Sequence, residues 1–231
     1  MRNGSATGPF DPASVAALIP CYREEAHIAD VVTRVSKHLP NVLVVDDGSP
    51  DQTAERARSA GAEVIVHAKN AGKGAAIKTG FKALLERGFQ YVLILDGDGQ
   101  HLPEEISRFL ECASDKSADV YVGNRMHDTT GMPPVRYLTN KFMSWMISQL
   151  CGQPVPDSQC GFRMIHRDVI PLLFCESNAY DYETEMLLIA SRARHRIEAV
   201  PVSTVYANEQ SKIRPVRDTI RFFKLIARYT H

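Results

Sequence analysis

Asp96 and Asp98, two carboxylates separated by one glycine, close the apolar run at 91–95, and Gln100 and His101 follow directly. Asp and Gly suit a tight turn, so one use of this segment is simply to end a strand. The other use is chemical. Oxygens from Asp96, Asp98 and Gln100 can be offered to one hard cation such as Mg²⁺ or Mn²⁺. Such a cation typically holds a diphosphate and neutralises a leaving group.

Comparable polar clusters follow other apolar runs: Cys21-Tyr22-Arg23-Glu24, Asp46-Asp47, Lys69-Asn70 and Gly123-Asn124-Arg125. Asp51 suits the cap of the next helix, but capping does not account for both Asp46 and Asp47. The stretch 69–74, KNAGKG, lacks the spacing of an ATPase phosphate loop, because Lys73 is followed by Gly. A glycine-rich turn leading into a helix is nevertheless an anion contact. His67, His101 and His166 read as structural or solvent-facing. The absence of an H-x-x-x-H pair or Cys/His cluster argues against zinc.

The elements that would position these groups follow from periodicity. Apolar runs at 15–20, 41–49, 62–70, 91–96 and 118–125 predict strands, and amphipathic stretches at 24–39, 53–61, 74–88 and 103–114 predict helices. Strands apolar on both faces, alternating with helices, imply an α/β fold with a mostly parallel sheet flanked by helices. In such sheets ligands gather at the carboxyl ends of the strands, and all five clusters would share that rim. Beyond residue 126 the pattern predicts helices at 137–152, 180–195 and 215–231 and a strand at 196–206. The stretch 160–168 is left as strand or turn.

The 231 residues are 44% apolar and 23% charged, enough for one substantial core. The expected organisation is one domain from 15 to 231, in two parts (15–126 and 127–214) followed by an amphipathic terminal helix (215–231). Residues 1–14 are expected to lie outside the fold as a disordered N-terminus. Lys plus Arg (27) balance Asp plus Glu (27), so the basic surplus of a nucleic-acid binder is missing. Five cysteines without a C-x-x-C pair read as thiols in a reducing compartment. The first fourteen residues lack a signal-peptide pattern, and no apolar run approaches the roughly 20 residues that span a bilayer. A cytoplasmic protein, with peripheral contact to the cytoplasmic membrane face, is the expectation.

Taken in order, P-C-Y-R-E-E, V-V-D-D-G-S-P-D-x-T, K-N-A-G-K-G, L-D-G-D-G-Q, G-N-R, D-S-Q-C-G-F-R and a late S-K resemble a family 2 glycosyltransferase. Within it they resemble the polyprenyl-phosphate sugar transferase branch, the dolichol-phosphate mannosyltransferase and dolichyl-phosphate glucosyltransferase type. The resemblance spans about residues 15–215. It implies the GT-A fold, a metal-dependent transfer with inversion at the sugar carbon, and GDP-mannose or UDP-glucose as donor. It also implies that Pro20, Tyr22, Glu24 and Asp47 hold the nucleoside, with Lys69, Asp96 and Lys212 on the donor side. Asp96, Asp98 and Gln100 would bind the metal. Arg125, Arg136 and Arg163 would meet the acceptor phosphate, and Asp98, Arg125 and Asp157 would form the catalytic set. The mannosyl branch often has an arginine where Tyr206 stands here, and D-S-Q-C-G-F-R is closer to the glucosyl branch.

A lipid phosphate is already ionised and needs cations to hold it rather than a strong base. If the acceptor were a saccharide hydroxyl, a carboxylate base would be required, with Asp157, Glu183 and Glu185 as candidates. Sugar nucleotidyltransferases are disfavoured because ALIPCYREE has no glycine-rich loop, and a non-catalytic nucleotide-sugar-binding protein is the remaining rival. Leu138, Phe142, Trp145, Met146 and Leu150 recur at near-helical spacing: a core helix, an interfacial helix and a homodimer face compete for them. The terminal helix, with Phe222, Phe223, Leu225 and Ile226 among basic residues, is a second interfacial candidate. Family members often carry carboxy-terminal membrane helices. None precedes His231, which implies a membrane-protein partner or peripheral binding.

Overall fold

The computed structural model describes residues 11–203 and 215–229, apart from 116, 131 and 180, with side chains of the last helix described from 222 onward. The expectations for residues 1–10, Tyr206 and Lys212 lie outside the described residues. Residues 12–14, expected outside the fold, form a single 3₁₀ turn in which Asp11 accepts a bond from the Ala13 amide at 2.9 Å.

Strands β1 (Val15–Cys21) and β2 (Asn41–Asp46) are buried at nearly every position. Burial without alternation is what a strand covered on both faces requires. Helix α1 (Ile28–Val35) buries Ile28, Val31, Val32 and Val35, its i, i+3, i+4, i+7 stripe. Each fully buried aliphatic side chain there contributes about 1.5–3 kcal/mol. Helix α2 (Thr53–Ser59) leads to β3 (Glu63–Val66), an edge strand shorter than its apolar run suggests, with Glu63 and Val66 exposed. Helix α3 (Lys73–Glu86) lies close on β1, because a Cβ at Gly80 would come within 2.2 Å of Leu18. Then come β4 (Tyr91–Ile94), α4 (Ile106–Ser114) and β5 (Val120–Asn124).

Helix α5 (Pro134–Cys151) starts three residues earlier than its apolar pattern indicates, since proline is accommodated in a first turn. The stretch left as strand or turn becomes β6 (Arg163–His166), followed by α6 (Asp181–Arg192), β7 (Ile197–Pro201) and α7 (Pro215–Tyr229). The sheet order is β3-β2-β1-β4-β6-β5-β7. All neighbours are parallel except β6, which runs antiparallel to β4 and β5, with Arg163 opposite both Ile94 and Val122. The reversal has a positional consequence. The start of β6, not its end, reaches the rim where β1, β4 and β5 finish, and it carries residues 157–162 into that rim. No cysteine is joined in a disulfide, and no helix among the described residues is long and apolar enough to cross a membrane.

Candidate functional site

The rim is knitted together by backbone. The Asp47 amide donates to the Cys21 carbonyl at 2.9 Å, and a Cβ on Gly97 would sit 3.1 Å from that of Cys21. The ends of β1 and β2 and the turn after β4 therefore meet. Pro20 is buried in β1 beside Val45; Tyr22 and Glu24 are half-buried in the turn beyond it. That turn is pinned by the Arg23 amide donating to Ser49 Oγ and the Glu24 amide donating to Thr53 Oγ1, both at 2.9 Å.

Asp47 is almost wholly buried, and its carboxylate accepts from the amides of Ala71 (2.9 Å) and Gly72 (2.7 Å). His67 Nδ1 lies 2.7 Å from the same carboxylate, and its Nε2 lies 2.9 Å from Thr79 Oγ1. The glycine-rich turn is thus an anion contact, as expected, but the anion is an internal carboxylate. Gly72 has φ +104°, and a Cβ there would meet the Asn178 carbonyl at 2.2 Å, so only glycine permits this approach. Lys69, in the same turn, is exposed.

At the end of β4 the charges gather. Lys73 Nζ lies 2.6 Å from Asp96 Oδ1 and 3.0 Å from Glu183 Oε2, joining the first residue of α3 to the first turn of α6. Burial works against the Lys73 charge, but Asp96 and Glu183 outweigh it and raise its pKa. Burial likewise opposes ionisation of Asp96; Lys73 and His101 override it and hold the carboxyl well below its ordinary range. His101 is buried with Nε2 3.7 Å from Asp96 Oδ2, packs on Phe162, and leaves Nδ1 without a hydrogen-bond partner. Asp98 accepts from the Gln100 amide at 3.0 Å, so Gln100 meets it through backbone. Burial, and then the charge of Asp96, push the Asp98 carboxyl above its ordinary range. Gly161 forms the wall between the partners: a Cβ there would lie 2.9 Å from Asp96 Oδ2 and 3.1 Å from Glu183 Oε1.

Among the described residues, no group of three His, Cys, Asp or Glu side chains is gathered as a metal cage. The positive charge shared by Asp96 and Glu183 is that of Lys73. The donor chemistry nevertheless fits a hard divalent cation. Glu183 Oε1 is buried with no hydrogen-bond partner, and Asp98 is an acid whose ionisation is opposed by a neighbouring carboxylate. Asp96 and Asp98 offer the oxygens that could hold such an ion, and Glu183 reaches Asp96 through Lys73.

A second cluster lies beyond β5. Asp157, 1% exposed, takes Arg125 Nε at 2.7 Å and Arg125 Nη2 at 2.9 Å in a fork, and also the Arg125 amide at 3.1 Å. Bidentate pairing of this kind fixes a guanidinium in plane. Arg163 is as deeply buried and donates to the carbonyls of Cys160 (2.8 Å), Ser158 (2.8 Å) and Glu183. Burial lowers its pKa. The structure therefore brings Asp96, Asp98 and Gln100 together, and separately Arg125 and Asp157. Arg163 is committed to backbone, and Arg136 is half-buried in the first turn of α5.

Sequence reasoning missed the bridge made by Lys73. A signal was present: a cation in the first turn of a helix opposes the helix dipole, so Lys73 needs carboxylates to face it.

The mostly parallel sheet flanked by helices is the GT-A architecture of glycosyltransferases. Glucosyl-3-phosphoglycerate synthase from Mycobacterium tuberculosis, in complex with Mn²⁺, UDP and phosphoglyceric acid, shares it at a TM-score of 0.71 and 17% identity, over 98% of this chain and 82% of that one. Residues 16–174 match the model of Glycosyl transferase family 2. The chain belongs to that family and is a glycosyltransferase. It is 31% identical to the UDP-N-acetylglucosamine–dolichyl-phosphate N-acetylglucosaminyltransferase of Methanococcus voltae, covering 82% of this chain and 84% of that protein. It is 32% identical to the polyprenol monophosphomannose synthase of Mycolicibacterium smegmatis, covering 84% and 80%.

Proposed function

We propose that this enzyme transfers a hexose from a nucleotide sugar, GDP-mannose or UDP-glucose, to a polyprenyl phosphate, with inversion and with Mg²⁺ or Mn²⁺. The observation that carries the reading is the pair Asp96 and Asp98 at the end of β4, the second held above its ordinary range by burial and by the first, with Glu183 of α6 joined to Asp96 through Lys73 and one of its oxygens buried without a partner. A cation bound there supplies a Lewis acid for the donor diphosphate. Pro20, Tyr22, Glu24 and Asp47 line the nucleoside end of the rim, Asp47 by holding the 69–72 turn in shape. Lys69 and Lys212 serve the donor phosphates.

In this reaction an oxygen of the acceptor phosphate attacks the anomeric carbon, and the bond from that carbon to the diphosphate breaks. The nucleoside diphosphate leaves with the electron pair, so no proton has to be removed. The three carboxylates that could act as bases favour such an acceptor. Asp157 is closed on Arg125, Glu183 is bound to Lys73, and Glu185 accepts from Cys175 Sγ and Tyr229 Oη, with Arg228 at 3.4 Å. Proton uptake by any of them would forfeit an ion pair. Arg125, aimed by Asp157, and Arg136 meet the acceptor phosphate. Arg163 contributes by holding the carbonyls of 158, 160 and 183 in place.

Calorimetric titration with GDP, UDP, ADP and CDP, with and without Mn²⁺, tests the donor half. Metal-dependent binding of GDP or UDP, reduced at least about tenfold in Asp98→Ala, is expected; that ratio corresponds to about 1.4 kcal/mol. Binding that ignores both metal and mutation would defeat it. Product formation with polyprenyl phosphate but not with oligosaccharides tests the acceptor half.

A further inference from the structure

Helix α5 is amphipathic the wrong way round for a helix bathed in water. Its buried positions are Asn140, Ser144 and Ile147. Its outward positions include Val135 (77% exposed), Leu138 (63%), Phe142 (52%) and Trp145 (58%). At about 100° per residue these four fall within an arc of about 80°, opposite the buried three. An unbroken apolar stripe of this kind on a surface marks a contact site. The described side chains of the terminal helix, from 222 onward, offer no equivalent. Phe222, Leu225 and Ile226 of α7 are buried against the body, leaving Phe223 exposed among them.

Two further observations say what covers the stripe. No Asp or Glu occurs between residues 129 and 156, and the charged residues there are Arg136 and Lys141. The face is therefore apolar, free of negative charge and edged by Lys141, which matches it to anionic headgroups over acyl chains. A groove of about 370 Å³ also runs along α5, lined by Met126, Tyr137, Trp145, Val155 and Pro156 among others. Met126 directly follows Arg125 and Pro156 directly precedes Asp157, so two of the lining residues are chain neighbours of the Arg125–Asp157 pair.

We infer that the exposed face of α5 seats this enzyme on an anionic lipid bilayer, with the groove between α5 and residues 155–156 taking up an isoprenoid chain from the bilayer. The groove's role rests on the polyprenyl-phosphate reading above; the seating on lipid does not require it. Leu138, Phe142 and Trp145 enter the acyl boundary, while Lys141 stays at headgroup level.

Trp145 is the chain's single tryptophan, so its emission reports on this face alone. The full chain is mixed with phosphatidylglycerol–phosphatidylcholine vesicles that contain no polyprenyl phosphate. A blue shift, quenching by brominated acyl chains, and a loss of vesicle affinity of about tenfold or more in the Leu138→Glu, Phe142→Glu double variant are expected. Both positions are exposed, so the variant should keep its melting temperature and its nucleotide binding by calorimetry. An unshifted, unquenched Trp145 overturns the inference. So does a concentration-dependent blue shift without lipid that tracks dimerisation in sedimentation, which would give the face to a second copy. Because neither vesicle binding nor nucleotide binding requires the acceptor, failure of the membrane seating and failure of the transferase reading are separately visible.

Discussion

The Arg125–Asp157 pair and the Lys73–Asp96–Glu183 cluster occupy the same rim, but one is closed and the other is not. In the first, a buried carboxylate and a buried guanidinium match donor to acceptor in a fork, with a backbone amide added. In the second, one ammonium serves two carboxylates while Asp98 stands close by, and both Glu183 Oε1 and His101 Nδ1 lack partners. A closed pair sets geometry. A cluster with surplus carboxylate leaves polar atoms unmatched. The difference separates groups that fix the shape of the rim from groups that, on the proposed function, meet a ligand.

Breaking the closed pair should have the largest effect. Asp157→Ala takes the bidentate carboxylate from a buried Arg125, and should lower unfolding free energy in urea by about 3–5 kcal/mol. A loss under about 1 kcal/mol would mean the pair shapes little. Removing the ammonium from the open cluster should do less, because Lys73 and Asp96 are 15% and 27% exposed and partly screened. Lys73→Met should cost about 1–3 kcal/mol without metal. Saturating Mn²⁺ should then raise the variant's melting temperature more than the wild type's. An equal rise would separate Lys73 from the cation site.

A smaller effect of opposite sign is expected for Asp98→Asn. It removes a charge opposed by Asp96 but keeps the acceptor oxygen for the Gln100 amide, so the metal-free protein should melt at the same temperature or slightly higher. A clear fall would assign Asp98 a structural role like that of Asp157.

The smallest effect concerns a third carboxylate, Glu185. Burial opposes its ionisation, but hydrogen bonds from Cys175, Ser177 and Tyr229 prevail and lower its pKa. A depressed folded-state value contributes stability that is fully present above the ordinary glutamate pKa, about 4.3, and is lost as pH falls through the folded value. Amide exchange in α7, which carries Tyr229 and Arg228, should accelerate below that pH before exchange in β1 does. Simultaneous acceleration would show that the helix is not held through Glu185.

What the residues disclosed follows range in sequence. Val15–Cys21 and Asn41–Asp46 announce themselves because a strand buried on both faces has to be apolar throughout. The rim followed from the rule that parallel strands end together. The reversal of β6 did not, because RMIH carries no mark of direction, and with it went the arrival of residues 157–162 beside β4. Pairings that span the fold, such as Lys73 with Glu183, Asp47 with the Gly72 amide and Arg163 with the Glu183 carbonyl, were invisible for the same reason. Polar side chains show their type in a sequence but not their partner. Arg163 looked like a phosphate contact because a lone arginine in a signature invites that use; three carbonyls claim it instead.

The strand order also dictates when the parts can come together. β5 pairs with β6 and β7, both of which lie later in the chain, and with no earlier strand. As the polypeptide leaves the ribosome, β1 to β4 can assemble with the edge of β4 uncovered, while β5 has nothing to join until residue 166 has emerged. Arg125 at the end of β5 thus reaches its place only after the carboxylates of β4 have theirs. Any interruption of synthesis between residues 125 and 163 would release a chain with an open apolar sheet edge.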